Sequence, residues 1–342
     1  MAGATTLPTF AFPIWCEVTV VQSTHHLITA CRYGNGMSMA IEVTDLRKVF
    51  SDRRAGDLVA VDGASFSVRE GEFFGIVGPN GAGKTTTLEI VEGLQSADSG
   101  EVRLLGQSPW PHDPKLAQRY GVQLQASAFF EYLTVKEQIC TFAELYGLGK
   151  QRAMETLETV GLSDKANSAT EKLSGGQKQR LSIACSLVHD PELVFLDEPS
   201  GALDPQARRN LWDLLRQINS TGRTVVLTTH YMEEAEELCE RVAIMDSGRI
   251  LDVDTPTNLA NNLDAPTRIS VATGQLDDSQ VSDLRESGDE ISSANGSLVI
   301  HSRDPKRVLT QLANWETLDD LAVRTTNLED VFLQLTGREW RE

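Results

Sequence analysis

Two short stretches carry residue types that can hold and split a phosphoanhydride. Gly78-Pro79-Asn80-Gly81-Ala82-Gly83-Lys84-Thr85 fits G-x-x-x-x-G-K-[ST]. In that pattern backbone N–H groups cradle phosphates, the lysine reaches the β- and γ-phosphates, and the hydroxyl ligates Mg²⁺. Leu173-Ser174-Gly175-Gly176-Gln177 is a glycine-bearing turn ahead of a helical pattern, a second place where an anion can rest on a helix N-terminus. One nucleotide needs one cradle. Two in one chain point to a nucleotide gripped from both sides, by two subunits.

Leu193-Val194-Phe195-Leu196-Asp197-Glu198 is an apolar strand ending in two carboxylates. Ligands of open α/β sheets sit at the carboxyl ends of strands. Asp197 is therefore expected to hold Mg²⁺, directly or through water, and Glu198 to orient and polarise an attacking water. A general base contributes roughly 10²–10⁴-fold. His230 ends a second apolar strand, Thr224–Thr229, and parallel packing would bring it to the γ-phosphate. Each has a plainer alternative: a strand that ends in solvated acids, and a histidine held for structure.

The surrounding elements supply the frame. Phe73–Val77 leads into the loop, and Thr85-Thr86-Thr87-Leu88 opens a helix, the strand–loop–helix context the motif requires. Strand patterns cover 40–44, 58–68, 73–78, 120–125, 193–197, 224–229 and 241–245. The runs 73–78 and 193–197 are continuously apolar, as buried parallel strands are. Helical patterns cover 84–93, 134–147, 151–160, 175–189, 205–218 and 231–240, so 134–189 reads as helices inserted into the sheet domain. Asp246-Ser247-Gly248 is a hairpin turn, and 251–266 reads as a connector. Strand patterns at 268–272, 297–302 and 320–325 alternate with helical ones at 277–286, 305–313 and 328–336, giving a small accessory domain over 267–342.

The bulk properties narrow the partners. The chain has 342 residues, is 40% hydrophobic and carries a formal charge of -18, which disfavours non-specific binding to nucleic acid or anionic lipid. The five cysteines, Cys16, Cys31, Cys140, Cys185 and Cys239, have no C-x-x-C spacing and read as free thiols of a reducing cytosol. No apolar run approaches the ~18 residues of a membrane span. Residues 1–38 carry no Lys or Arg before Arg32 and are read as a dispensable, disordered extension, or as upstream of the true start near Met37 or Met39. Mass spectrometry of the natural N-terminus distinguishes these.

Taken together, the motifs over about 40–260 resemble the nucleotide-binding subunit of ATP-binding-cassette (ABC) transporters. Gly78–Thr85 is similar to the family's phosphate loop, Gln125 to its Q-loop glutamine, Leu173–Gln177 to its signature, Leu193–Glu198 to the strand bearing the catalytic glutamate, Ser200–Asp204 to the D-loop and His230 to the switch histidine. Ala202 stands where glycine is frequent. Phe50 falls where the family stacks an aromatic on adenine, although a packing role fits it equally. Thr229–Glu236 and Leu328–Arg338 resemble the ABC-2 type, which includes daunorubicin-resistance-like exporters.

The resemblance implies an α/β P-loop NTPase: an ABC cassette over 39–255, with a mostly parallel core, an antiparallel β part and a helical subdomain at about 126–190, followed by the small α+β domain. It implies ATP and Mg²⁺ as ligands. Nucleotide contacts come from Phe50, Gly78, Pro79, Asn80, Gly81, Ala82, Gly83, Lys84, Thr85 and Thr86, with Ser174, Gly175, Gly176, Gln177 and Asp204 completing them. The metal falls to Thr85, Gln125 and Asp197, and catalysis to Glu198, His230 and Gln125. The implied assembly is a head-to-tail homodimer, or a pair with another ABC ATPase, on a separate ABC-2 type permease at the cytoplasmic face of the membrane, with no nucleic acid. Phe129–Leu133 is read either as the groove for a permease helix or as core. Two other functions stay open: an importer ATPase with a C-terminal regulatory domain, and a soluble ABC ATPase acting on ribosomes or DNA.

Overall fold

The computed structural model describes residues 16–23, 26–33, 38–52, 56–123, 129–130, 132–201, 203–263, 266–294, 296–315, 317 and 321–337. It divides into Met1–Ser38 and Met39–Glu342. In the first unit β1 (Cys16–Ser23) pairs antiparallel with β2 (His26–Tyr33) as a hairpin.

The second unit is built on a six-stranded sheet. β5 (Phe73–Val77) lies at its centre, flanked by β9 (Thr224–Thr229) and β10 (Arg241–Asp246). Beyond β9 come β8 (Leu193–Asp197) and β7 (Tyr120–Gln123). β11 (Arg249–Asp254) closes the other edge and is the one antiparallel member. The strands β5, β8 and β9 are buried along their whole length. Alternation sends their side chains to opposite faces. Phe74, Ile76, Phe195 and Val226 enter one core, and Phe73, Val77, Val194, Leu196, Val225 and Leu227 the other.

The first core is covered by α1 (Lys84–Val91) and a three-stranded antiparallel sheet of β4 (Gly56–Arg69), β3 (Met39–Asp52) and β6 (Ser99–Leu104). The second is covered by α6 (Pro205–Ser220), α7 (Met232–Leu238) and the inserted helices α3 (Val135–Leu145), α4 (Lys150–Thr159) and α5 (Gly175–Leu187). Reciprocal capping boxes start α3 at Thr134 with Glu137 and α5 at Ser174 with Gln177. A short α2 (Pro114–Ala117) precedes β7.

Several boundaries differ from the expectation. β6 and β11 carry no continuous apolar run because both are edge strands, β6 mostly exposed and β11 divided between exposed and half-buried side chains. The hairpin turn joins β10 to β11 as expected, with positive φ at Ser247 and Gly248. The 251–266 stretch is therefore not a plain connector. It holds the end of β11 and α8 (Pro256–Asn262), whose start carries the Thr255 cap and Pro256 at its first turn.

The C-terminal part is a four-stranded antiparallel sheet, ordered β13 (Glu290–Ala294), β14 (Ser297–Ser302), β12 (Thr267–Ala272), β15 (Ala322–Arg324). Ile269, Val271 and Ile300 pack one face onto α9 (Asp278–Glu286) and α10 (Pro305–Asn314) through Leu284, Val308 and Leu312. The following helix, α11 (Leu328–Thr336), does otherwise. Leu328, Val331 and Phe332 join the core of the large sheet domain, beside Leu238, Cys239 and Leu259. Polar links reinforce the seat: Glu236 Oε1 accepts from Leu328 N–H at 2.6 Å, and Arg268 pairs with Asp330 at 3.1 Å.

Phe332→Ala should therefore destabilise the sheet domain as well as the accessory one, by about 3–5 kcal/mol in urea unfolding. An unchanged midpoint for the sheet domain would show that α11 does not contribute to its core.

Candidate functional site

The phosphate loop runs between β5 and α1, against neighbours that leave no room for side chains. A Cβ on Gly78 would meet Met245 O at 2.1 Å. Gly83 sits at φ +102°, and a Cβ there would meet Ala60 O at 2.3 Å. The two glycines thus let the loop fold between the β10 end and β4. Ala82 N–H donates to Pro79 O at 3.1 Å and Gly248 N–H to Ala82 O at 2.9 Å, fixing the bend.

Lys84 opens α1 and turns back into the loop, only 4% exposed. Its Nζ donates to Gly78 O at 2.8 Å and Pro79 O at 3.2 Å, and lies 3.4 Å from Glu198 Oε1. Burial lowers its pKa, while Glu198 and Asp197 pull it back up. Glu198 also meets His230, with Oε2 3.1 Å from Nδ1. The contact is close enough for an ion pair but not aligned as a hydrogen bond. Glu198 is held at φ +47°, in the left-handed region unusual for a residue with a side chain. Its N–H donates to both Thr228 O and Thr228 Oγ1, which secures that geometry.

Asp197 ends β8 beside Thr85. Thr85 Oγ1 lies 3.3 Å and 3.2 Å from its two oxygens, and Thr228 Oγ1 donates to Oδ1. Burial raises the Asp197 pKa, opposed by the Thr228 and Thr85 hydrogen bonds. A hydroxyl and a half-desolvated carboxylate side by side suit a hard cation. Among the described residues no three acidic, His or Cys side chains converge as a metal cage. Mg²⁺ is a cation of that kind, taking one or two protein oxygens and completing its shell with substrate phosphates and water.

Phe50, Leu58, Val59 and Ala60 form an apolar wall facing Asn80, Gly81, Gly83, Lys84, Thr85, Thr86 and Glu198 across one cleft. Phe50, Lys84, Thr85, Glu198 and His230 are thus brought together, with Asp197 behind Thr85. Ser174, Gly175, Gly176 and Gln177 are elsewhere, at the N-terminus of α5. There the Ser174 hydroxyl accepts from Gln177 N–H, and Gly176 lies against Ala207 of α6. Asp204 caps α6 through Gln206 and Ala207 N–H and does not line the cleft. Gln125 lies outside the described residues. Thr228 and the Leu58–Ala60 wall were not anticipated. The register Asp197↔Thr228 depends on β8 lying beside β9, which no local pattern reveals.

The ABC transporter family model matches residues 61–201, and the C-terminal domain model of the nodulation factor export protein NodI matches 286–337. The linearmycin resistance ATP-binding protein LnrL of Bacillus subtilis is 36% identical over 300 residues, 84% of this chain and 96% of LnrL. This chain belongs to the ATP-binding subunits of ABC transporters. The Nod factor export ATP-binding protein I of Ralstonia nicotianae is 36% identical over 318 residues, 90% of this chain and 97% of its own. A dimeric bacterial ABC transporter cassette superposes with TM-score 0.58 at 28% identity, over 63% of this chain and 98% of that one. A post-hydrolysis dimer of the same cassette, bound to ADP and Pi, gives TM-score 0.57. This ABC subunit is an ATPase.

One buried acid near the site has its own consequence. Glu92, at the end of α1, is pushed up to about 9 by burial, then by the charges of Asp197 and Glu89. Between its ordinary 4.5 and about 9 the native state holds a proton that the unfolded chain has released. Stability from this group is therefore full below 4.5 and declines as pH rises toward 9. Glu92→Gln should remove up to ~1.4 kcal/mol per pH unit of that decline, read from urea unfolding of the nucleotide-free protein at pH 6 and 8. Equal pH dependence in both proteins would place the proton elsewhere.

Proposed function

We propose that this ATPase drives export as one half of a head-to-tail pair seated on a separate ABC-2 type permease at the cytoplasmic face of the membrane. The observation that carries the hydrolytic part is the placement of Glu198 between the Lys84 ammonium and His230. Lys84 is pre-positioned where β- and γ-phosphates enter, and Phe50 with Leu58 and Val59 offers the adenine an apolar face. Glu198 orients the water and takes its proton. His230, on the far side of Glu198, holds that carboxylate toward the γ-phosphate. Thr85 and Asp197, with Gln125, would hold Mg²⁺, which supplies neutralisation of phosphate charge when bound.

The Ser174–Gln177 turn stands outside its own chain's cleft, at the exposed start of α5. That supports its use in trans, completing the site of a second copy, with Asp204 at the same junction. The dimeric structural relative supports pairing of two cassettes. Among the described residues no helix is long and apolar enough to cross a membrane.

A groove lined by Leu94, Tyr120, Phe129, Phe142, Tyr146 and His189 opens on the helical insertion. Phe130 and Tyr132 beside it are 52% and 85% exposed. Apolar surface of this kind marks an interaction site and supports the reading of 129–133 as a permease dock. The relatives named for Nod factor export and linearmycin resistance support export as the direction.

Glu198→Gln should retain ATP binding, lose roughly 10²-fold or more in turnover and accumulate as an ATP-bound dimer by light scattering. Wild-type turnover by this variant would remove Glu198 as the base.

A further inference from the structure

His230 meets Glu198 without a hydrogen bond to hold it there. Its Nδ1 lies 3.1 Å from Glu198 Oε2, but the two are not aligned for hydrogen bonding, and Nδ1 is buried with no other hydrogen-bond partner. The terminal torsion of a histidine is broad, so a ring lacking that bond swivels unless its faces are packed. The ring that packs it belongs to the next residue. Tyr231 lies against His230 with centroids 4.1 Å apart and planes tilted by 39°.

Tyr231 is itself held twice. Its N–H donates to Thr229 Oγ1 at 3.0 Å, which fixes the backbone across His230. Its ring is covered by the Arg208 guanidinium, whose central carbon stands 4.2 Å from the ring centroid. Arg208 comes from the start of α6, four residues after the Asp204 cap. A cation there runs against the helix macrodipole, so the helix does not favour its placement. Arg208 Nε is buried with no hydrogen-bond partner. The close contact its guanidinium does make is with the face of Tyr231, and a cation is drawn to an aromatic face, more strongly where water is excluded. Three contacts in series thus join α6 to Glu198: Arg208 on Tyr231, Tyr231 on His230, His230 on Glu198. Neither Arg208 nor Tyr231 lines the nucleotide cleft.

We propose that Tyr231 is a positioning residue for ATP hydrolysis, its ring setting the His230 imidazole toward Glu198, and that Arg208 acts through it by clamping that ring. The inference rests on the roles of Glu198 and His230 proposed above.

The test is steady-state ATP hydrolysis by the full-length chain carrying Tyr231→Phe, Tyr231→Leu, Arg208→Met, or Arg208→Met together with Tyr231→Leu, with urea unfolding of each. Tyr231→Leu should lower kcat about tenfold and leave KM for ATP within about twofold, because displaced catalytic geometry costs rate rather than affinity. Tyr231→Phe should stay within about twofold of wild type, since it keeps the ring and its face. Arg208→Met should lower kcat about threefold to thirtyfold, the span of a cation–ring contact from exposed to desolvated. In the Tyr231→Leu background the same change should cost about twofold or less, because partners in series are not additive. Wild-type kcat in Tyr231→Leu or Arg208→Met, a phenylalanine variant as slow as the leucine one, or losses that multiply would overturn the proposal. So would lowered urea midpoints with unchanged kcat, the mark of a plain tether between α6 and α7. If Tyr231→Leu does not fold, Arg208→Met and Tyr231→Phe still decide it. Wild-type turnover by Glu198→Gln or His230→Ala would sink the parent reading; inactive Glu198→Gln and His230→Ala beside a fully active Tyr231→Leu sink this inference alone.

Discussion

The Lys84 ammonium sits in a pocket from which water is almost excluded, bonded to the carbonyls of Gly78 and Pro79 and facing Glu198. A buried cation is costly unless paired and hydrogen-bonded. Its partners must therefore be held in place by the rest of the fold. The carbonyls are aimed by a loop that closes because Gly78 and Gly83 lack Cβ atoms. The carboxylate is aimed by a strained backbone at the end of β8. Parallel packing of β5, β8 and β9 places these ends side by side, and the continuous burial of the three strands makes that packing rigid. A triphosphate bound as proposed would enter a balance of charge already set between Lys84 and Glu198.

A second layer of control sits behind this centre. The α6 helix begins directly after Asp204 and α7 shortly after His230. Trp212, Glu234, Arg208 and Tyr231 stitch them together. The signature turn at Ser174 is packed against the same place through Gly176 and Ala207. In the pair proposed above, the turn offered to a partner's nucleotide and the helices beside the chain's own cleft are therefore adjacent.

Much of this was legible from local patterns. Wherever a strand was uniformly apolar or a loop had demanding backbone geometry, the residues announced it: Phe73–Val77, Leu193–Asp197, Thr224–Thr229 and the phosphate loop fell where expected. Edge strands such as β6 and β11 were hidden because water covers most of their side chains. Thr228 was hidden for a different reason. Its role follows from which strand neighbours which, a long-range fact that no local pattern encodes.

The seating of α11 bears on how the protein is made. The apolar hollow at Leu238, Cys239 and Leu259 is covered only once α11 has been made and can dock, after the phosphate loop and β8 have been made. A nascent chain carrying every motif for ATP hydrolysis would still expose a greasy notch beside the helix that follows His230. Closure of the large apolar core is thereby coupled to completion of the C-terminal part of the chain.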